Sequence, residues 1–269
     1  TPKTAKASGS TVTFGGIWRI RVDQLTGEPT VSVYDDSLPW VGKLGDANSV
    51  AKATKVRQAM SVAIDRNLIN ETILSGSGCI AYTAWISDCS PAMKEKWRDP
   101  YDKDLALQLL NEAGYPNGFT GPGKVWIPND ANPTFVQVST AVWNMWCEIG
   151  VCLQIDSTSE GIGSQKLAYG RAMNDIWFGT YWGSRDNYQV WSGLMACFDT
   201  TMKFSCGWDD ERMYDIHSRM IDADNATDGW KIIDEFLDIV HDDYLTYSIV
   251  FWMDPIVTDS SIGDVSMHH

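Results

Sequence analysis

The chain has 269 residues, 44% hydrophobic and 12% aromatic, and its 35 acidic against 21 basic side chains give a formal charge of −14. That composition excludes a disordered, collagenous or low-complexity chain, and the length suffices for one large domain or two smaller ones. The acidic balance argues against nucleic acid and anionic membrane surfaces, both of which attract clustered Lys and Arg. No apolar run is long enough to span a bilayer as a helix.

The opening residues TPKTAKASGS hold no apolar signal core, so any secretion signal is expected to have been removed. Short alternating runs between 11 and 34 (TVTF, IWRIRV, TVSVY) read as strands, followed by a Gly-, Asp- and Pro-containing loop from Asp35 to Asn48. The first strong helix is TKVRQAMSVAI, with Val56, Met60, Ala63 and Ile64 on one stripe. Asp65 is placed to cap a second helix, RNLINETIL, before the flexible SGSG at 75–78. A long loop then reaches Pro100. Asp102 starts a third helix that stops at Gly114, and Tyr115-Pro116-Asn117-Gly118 makes a turn. Strand KVWIP (124–128) leads to a helix started by Asn132 and Pro133 and ended by Gly150, then to strand VCLQID (151–156). A short helix over 159–170 precedes the apolar strand DIWFGTYW (175–182). Two acidic helices near 209–223 and 228–243, the second capped by Asp228, lead to a closing strand, LTYSIVFW (245–252). Helices alternating with strands at this spacing predict an α/β domain.

Six cysteines fall into three close pairs: Cys79 with Cys89, Cys147 with Cys152, and Cys197 with Cys206. The even count and short spacings suit local disulfides in an oxidising compartment, the alternative being six buried thiols. None is a CxxC and no His stands at ligand spacing, so no metal site is expected. Residues 209–243 carry 12 acidic and 3 basic side chains, read as the solvated faces of two helices. His217 and His241 on those helices read as surface or capping groups. Trp143, Trp146, Trp177, Trp230 and Trp252 are expected to be core, whereas Trp85, Trp191 and Trp208 lie in or near loops. No GxSxG elbow, HExxH, Walker loop or Rossmann fingerprint occurs, and the Asp209/Asp210 and Asp242/Asp243 doublets point in different directions on a helix. An enzyme, such as a Trp-rich carbohydrate-active one, is therefore the weaker reading, and no cofactor is expected.

VRQAMSVAIDRNLINETILSGSG (56–78) and YDKDLALQLLNEAGYPNGF (101–119) resemble the peptide-type extracytoplasmic solute-binding proteins of ABC importers, family 5. The likeness continues through CEIGVCLQI (147–155) and HDDYLTYSIVFW (241–252). These motifs are helix caps, turns and helix–strand joints, so they identify a scaffold more than a ligand. The resemblance implies a mixed sheet flanked by helices, one lobe of a periplasmic-binding-protein-like (type II) fold. Because only 55 residues precede Val56, the expected partners include a missing first lobe of the same protein. Residues 1–50 are then short strands and a linker packed on or leading into the lobe, 51–258 the α/β lobe, and 259–269 a tail ending in a possible tag remnant, His268 and His269.

The end of an apolar strand in such a sheet is where clefts open, and here it reads Tyr181-Trp182-Gly183-Ser184-Arg185-Asp186. The resemblance implies a Trp followed shortly by an Asp that meets a peptide's α-ammonium. Trp182 fits, while Asp186 stands one place later and Arg185 takes the usual slot. Tyr181, Trp182, Arg185 and Asp186 are the candidate ligand contacts, against a core role for Trp182 and a surface ion pair for Arg185 and Asp186. The function this implies is capture of a peptide-like or other small polar solute, with an ABC permease as membrane partner. The location implied is periplasmic or extracellular, held near the membrane through the transporter or a lipid anchor. The rival is a stand-alone interaction domain on the same scaffold.

Overall fold

The computed structural model describes residues 3–15, 34–84, 86–163, 175–182 and 211–256. Its strands are β1 (Lys3–Phe14), β2 (Cys79–Ile80), β3 (Lys124–Trp126), β4 (Gln154–Asp156), β5 (Ile176–Trp182) and β6 (Thr246–Ile256). Its helices are α1 (Ala47–Val62), α2 (Arg66–Ile73), α3 (Lys103–Ala113), α4 (Pro133–Glu148), α5 (Glu211–Ile221) and α6 (Ala226–Asp242), with a 3-10 turn at Glu95–Trp97.

One six-stranded sheet runs β2-β6-β1-β5-β3-β4. β1 is antiparallel to both its neighbours, whereas β5, β3 and β4 are mutually parallel. The expected α/β sheet is thus mixed, with a central strand that begins eight residues before TVTF; IWRIRV and TVSVY lie outside the described residues. β1 supplies Val12 and Phe14 to the main core, which also takes in Leu38 and Trp40 from the loop after it. Helices α1 to α4 pack in this core, whereas Met213, Ile216 and Met220 of α5 and Phe236, Leu237 and Val240 of α6 pack with Trp97 and Phe251 in a second. A register shift at Ile249 of β6 divides the strand between them. Tyr247 and Ile249 face the main core, and after the extra residue Val250 and Trp252 do so while Phe251 turns to the second.

Helix ends mostly follow their caps. The side chains of Asp65, Asp102 and Asn132 accept backbone N–H bonds at the starts of α2, α3 and α4. Two starts differ from the sequence reading. Helix α1 begins at Ala47, well before Thr54, because Asp46 accepts from the N–H groups of Asn48 and Ser49 and so nucleates a polar first turn that an apolar-stripe criterion overlooks. Helix α6 is capped by Asn225, not Asp228; Asp228 lies in the first turn and pairs with Lys231 at 2.8 Å. The strands at 124–128 and 151–156 shrink to β3 and β4, with Val151 forming only an isolated parallel bridge to Phe119. Of the expected helix 159–170, residues 160–163 are helical and the rest lies outside the described residues.

Disulfides join Cys79 to Cys89 and Cys147 to Cys152, with Cα–Cα distances of 5.7 and 4.3 Å. Cys197 and Cys206 lie outside the described residues. Two buried arginines tie elements together through backbone carbonyls. Arg57 donates to the carbonyls of Asp243 and Trp40, at 2.9 and 2.6 Å, and burial lowers its pKa to about 10. Arg66 donates to the carbonyls of Ala81, Ser248 and Ser61 and to Ser61 Oγ.

Candidate functional site

The parallel strands β3, β4 and β5 point toward the same edge of the sheet and end in Trp126, Asp156 and Trp182; Trp126 is level with Asp156 and Trp177, so β5 runs five residues, about 16 Å, past the ends of β3 and β4. Chain reversal at this edge is needed to start α4 and the helical turn at 160–163, so loops gather here for topological reasons. Trp126 donates its indole N–H to the Thr158 carbonyl at 2.9 Å, and its ring lies where a Cβ on Gly163 would come within 1.9 Å. That position therefore admits only glycine without displacing the indole. Asp156 accepts from the Thr158 N–H at 2.9 Å, and Asp130 from the Glu160 N–H at 2.6 Å. Asp130 and the Trp126 indole tie the loop after β3 and the strand end to the loop after β4, while Asp156 folds its own loop back locally.

Trp182, the last residue of β5, pairs across the sheet with Ser8 of β1, and Ser8 pairs on its other side with Trp252 of β6. Tyr181 is the preceding residue of β5 and pairs with Gly9. Tyr181 and Trp182 thus stand on the part of β5 that extends past the ends of β3 and β4 and is paired with β1; Arg185 and Asp186 lie outside the described residues. Among the tryptophans, Trp146 and Trp252 are buried as expected, and Trp143, Trp177 and Trp230 are partly so. Buried Trp40 and Trp97 were not singled out by sequence; each sits in an irregular segment where periodicity carries no signal. Trp85, Trp191 and Trp208 lie outside the described residues.

A second polar centre lies at the other end of the sheet, on residues the motifs did not single out. Asp99 is 9% exposed and accepts the Tyr244 hydroxyl at 3.1 Å. His241 is not the surface group expected of an acidic helix. Its side chain is 11% exposed, with Nε2 3.7 Å from Asp99 and Nδ1 3.2 Å from Asp242. Burial alone would lower the His241 pKa, but the flanking Asp99 and Asp242 carboxylates outweigh it and hold it above the ordinary histidine value. Burial pushes the Tyr244 and Tyr247 hydroxyls up, and it lowers Arg66 against the opposing field of Asp99. Beside this cluster a cavity of about 340 Å³ opens between the start of α2 and Tyr82, Asp99, Pro100 and Tyr101. Sequence showed Asp65 as a cap and no more, because Asp99, Tyr82 and His241 converge from three separate segments.

The acidic helices are more than solvated faces. Lys94 and Lys96 of the 3-10 turn region pair with Asp234 and Asp238 of α6 at 2.6 and 2.5 Å, and Arg219 of α5 bridges to Glu235 at 2.6 Å. Among the described residues no helix is long and apolar enough to cross a membrane.

Comparison with known proteins adds what geometry alone leaves open. The family model for bacterial extracellular solute-binding proteins, family 5 (middle), matches residues 20–201. Heme-binding protein A of Haemophilus influenzae is 36% identical over 106 residues, covering 36% of this chain and 18% of that protein. Glutathione-binding protein GsiB of Pectobacterium atrosepticum is 32% identical over 108 residues, 40% of this chain and 20% of that one. The structure of HbpA2 from Haemophilus parasuis matches with a TM-score of 0.67 at 14% identity, over 95% of this chain and 45% of that chain. The chain therefore spans less than half the length of that structure.

Proposed function

The chain belongs to the bacterial extracellular solute-binding proteins of family 5, and from that membership we propose that it is the solute-binding component, or part of one, of an ABC importer. Its mixed sheet with flanking helices is that of one lobe of a periplasmic-binding-protein-like (type II) fold. The observation that carries the reading is the family match over residues 20–201, which includes the strand end at Trp182.

In this reading the solute is peptide-like or another small polar molecule. The relative named for glutathione, a small peptide, supports that range, while the one named for heme shows that solutes differ within the family. Tyr181, Trp182, Arg185 and Asp186 contact it at the sheet edge. Trp182 offers an apolar plane, and Arg185 in the position expected of the ammonium-binding Asp favours an anionic or sugar-like group there. A second lobe closes over this edge about a hinge, which removes the solute from water without any covalent step. The loaded form then docks on a membrane permease. The local disulfides fit work outside the cytoplasm. No catalytic role is proposed.

Native mass spectrometry of the full-length protein, purified without ligand exchange, tests this. A retained peptide-like or polar small molecule at near one copy per chain is expected. No retained molecule, together with no binding of peptides, glutathione or heme in titration, refutes the proposal.

A further inference from the structure

Residues 94–99 lie along α6 and are fastened to one stripe of it. Asp234, Asp238 and His241 stand at positions i, i+4 and i+7 of that helix, and each meets a side chain of the stretch. Lys94 pairs with Asp234 at 2.6 Å and Lys96 with Asp238 at 2.5 Å, and the buried Trp97 donates its indole N–H to Asp238 at 2.8 Å. At the last position the polarity reverses: the acid, Asp99, is on the stretch and the base, His241, on the helix. The His241 ring lies between two carboxylates. Its Nδ1 is 3.2 Å from Asp242, and its Nε2, buried and without a hydrogen bond, stands 3.7 Å from Asp99. A neutral imidazole carries one N–H and one lone pair, so in either tautomer one carboxylate faces a lone pair. Only the imidazolium presents an N–H to both.

The neighbouring charges are engaged elsewhere. Arg66 of α2 acts on Asp99 but gives its donors to the Ala81, Ser248 and Ser61 carbonyls, and Arg57 of α1 gives its own to those of Asp243 and Trp40. Arg98 pairs with Glu95 at 2.9 Å and Arg212 with Asp243, while burial keeps the Tyr244 and Tyr247 hydroxyls neutral. Directly after α6 the chain is strained: Tyr244 has φ +50, a left-handed conformation that a non-glycine residue keeps only when its surroundings hold it. Its hydroxyl donates to Asp99 at 3.1 Å, and its ring lies against that of His241, centroids 5.6 Å apart. We propose that His241 is a proton-controlled latch: with its proton it fastens Asp99 to the last turn of α6, and without it that turn and Tyr244 open locally while both cores stay folded. Trp97 and the two lysine pairs keep the rest of the stretch in place. The raised pKa of His241 has the matching sign, since a contact made by the charged form is complete below the ordinary value and is lost as pH rises through the folded one.

The test is amide hydrogen exchange of the intact chain from about pH 5 to about 9, on both sides of the histidine range, with each rate divided by the intrinsic rate at that pH. The amides of Asp243, Tyr244 and Leu245 are bonded to the Ile239, His241 and Val240 carbonyls at 3.0 Å. They are expected to lose protection about 3- to 10-fold as pH rises, as for one partly exposed charged contact. The amides of Trp97 and Tyr115, bonded to the Lys94 and Leu110 carbonyls, are expected to keep theirs. His241→Gln, which cannot take the proton, is expected to show the weaker protection at every pH. Circular dichroism checks that it folds; if it does not, Asp99→Asn, expected to flatten the same pH dependence, decides. Protection that does not change with pH, an equal loss at Trp97 and Tyr115, or the wild-type profile in the folded variant would overturn the proposal.

Discussion

Replacing Gly118 with Ala probes the joint that locks the turn after α3 to the start of β4. Gly118 has φ +70, and a Cβ there would stand 2.2 Å from the Gly150 carbonyl oxygen, itself part of a residue at φ +84. The left-handed backbone costs a non-glycine residue about 1–2 kcal/mol. The overlap is with backbone, so it is relieved only by moving one loop away from the other, at about 1–3 kcal/mol. That movement strains the bonds from the Phe119 N–H to Gly150 and from the Cys152 N–H to Phe119, at 3.0 and 3.1 Å. Weakening them adds about 0.5–1.5 kcal/mol each where they are lost. Gly118→Ala is expected to destabilise the chain by about 2–5 kcal/mol with both bonds kept, and by about 3–8 kcal/mol if both are lost. Gly114→Ala is the control: its φ is +101, but nothing lies within 4 Å of its Cβ position, so it bears the backbone strain alone, about 1–2 kcal/mol. Urea denaturation with an unchanged slope gives both values, and the lower unfolded-state entropy of alanine cancels between them. Equal destabilisation of the two variants would refute the close-contact argument.

Three further outcomes follow from the same contacts. Nonreducing peptide mapping should recover Cys79 linked to Cys89 and Cys147 to Cys152, with Cys197–Cys206 as the expected third pair; free thiols after purification in air would contradict the oxidising-compartment reading. Arg57→Leu should cost about 3–5 kcal/mol in urea denaturation, because the Trp40 and Asp243 carbonyls lose their donor inside the protein, and a loss under about 1 kcal/mol would contradict that role. His241 has its folded pKa above the unfolded value near 6.5, so its stabilisation is complete below that pH and is lost as pH rises through the folded pKa. His241→Gln should flatten the decline in that window, and an unchanged stability–pH profile would remove the His241–Asp99 contact as its source.

Local chemistry made the scaffold legible. Asp65, Asp102 and Asn132 cap helices where their positions before apolar stripes placed them, and Gly114 ends α3 in the left-handed region. Where the signal was non-local it failed. Helix α1 begins in a polar turn held by Asp46, and the Asn225 cap of α6 stands three residues before the Asp228 that looked equivalent. β2 is two residues long and exists only by pairing with β6, so no alternation could reveal it. The candidate site divides the same way. An apolar run ending at Trp182 announces a strand end, and β5 does end at Trp182, although it runs five residues past the level where β3 stops, which no local pattern shows. The Asp99 cluster has no linear pattern, since Tyr82, Asp99 and His241 meet only when β2, α3 and α6 pack around Arg66.

The central claim is solute capture at the edge marked by Trp182. Its most direct test is isothermal titration of the solute recovered from the full-length protein against wild type and Trp182→Ala, with denaturation curves for both. The account predicts at least about a 10-fold loss of affinity, as for removal of a buried aromatic contact, with the unfolding midpoint nearly unchanged. Unchanged affinity in a folded Trp182→Ala protein would contradict it.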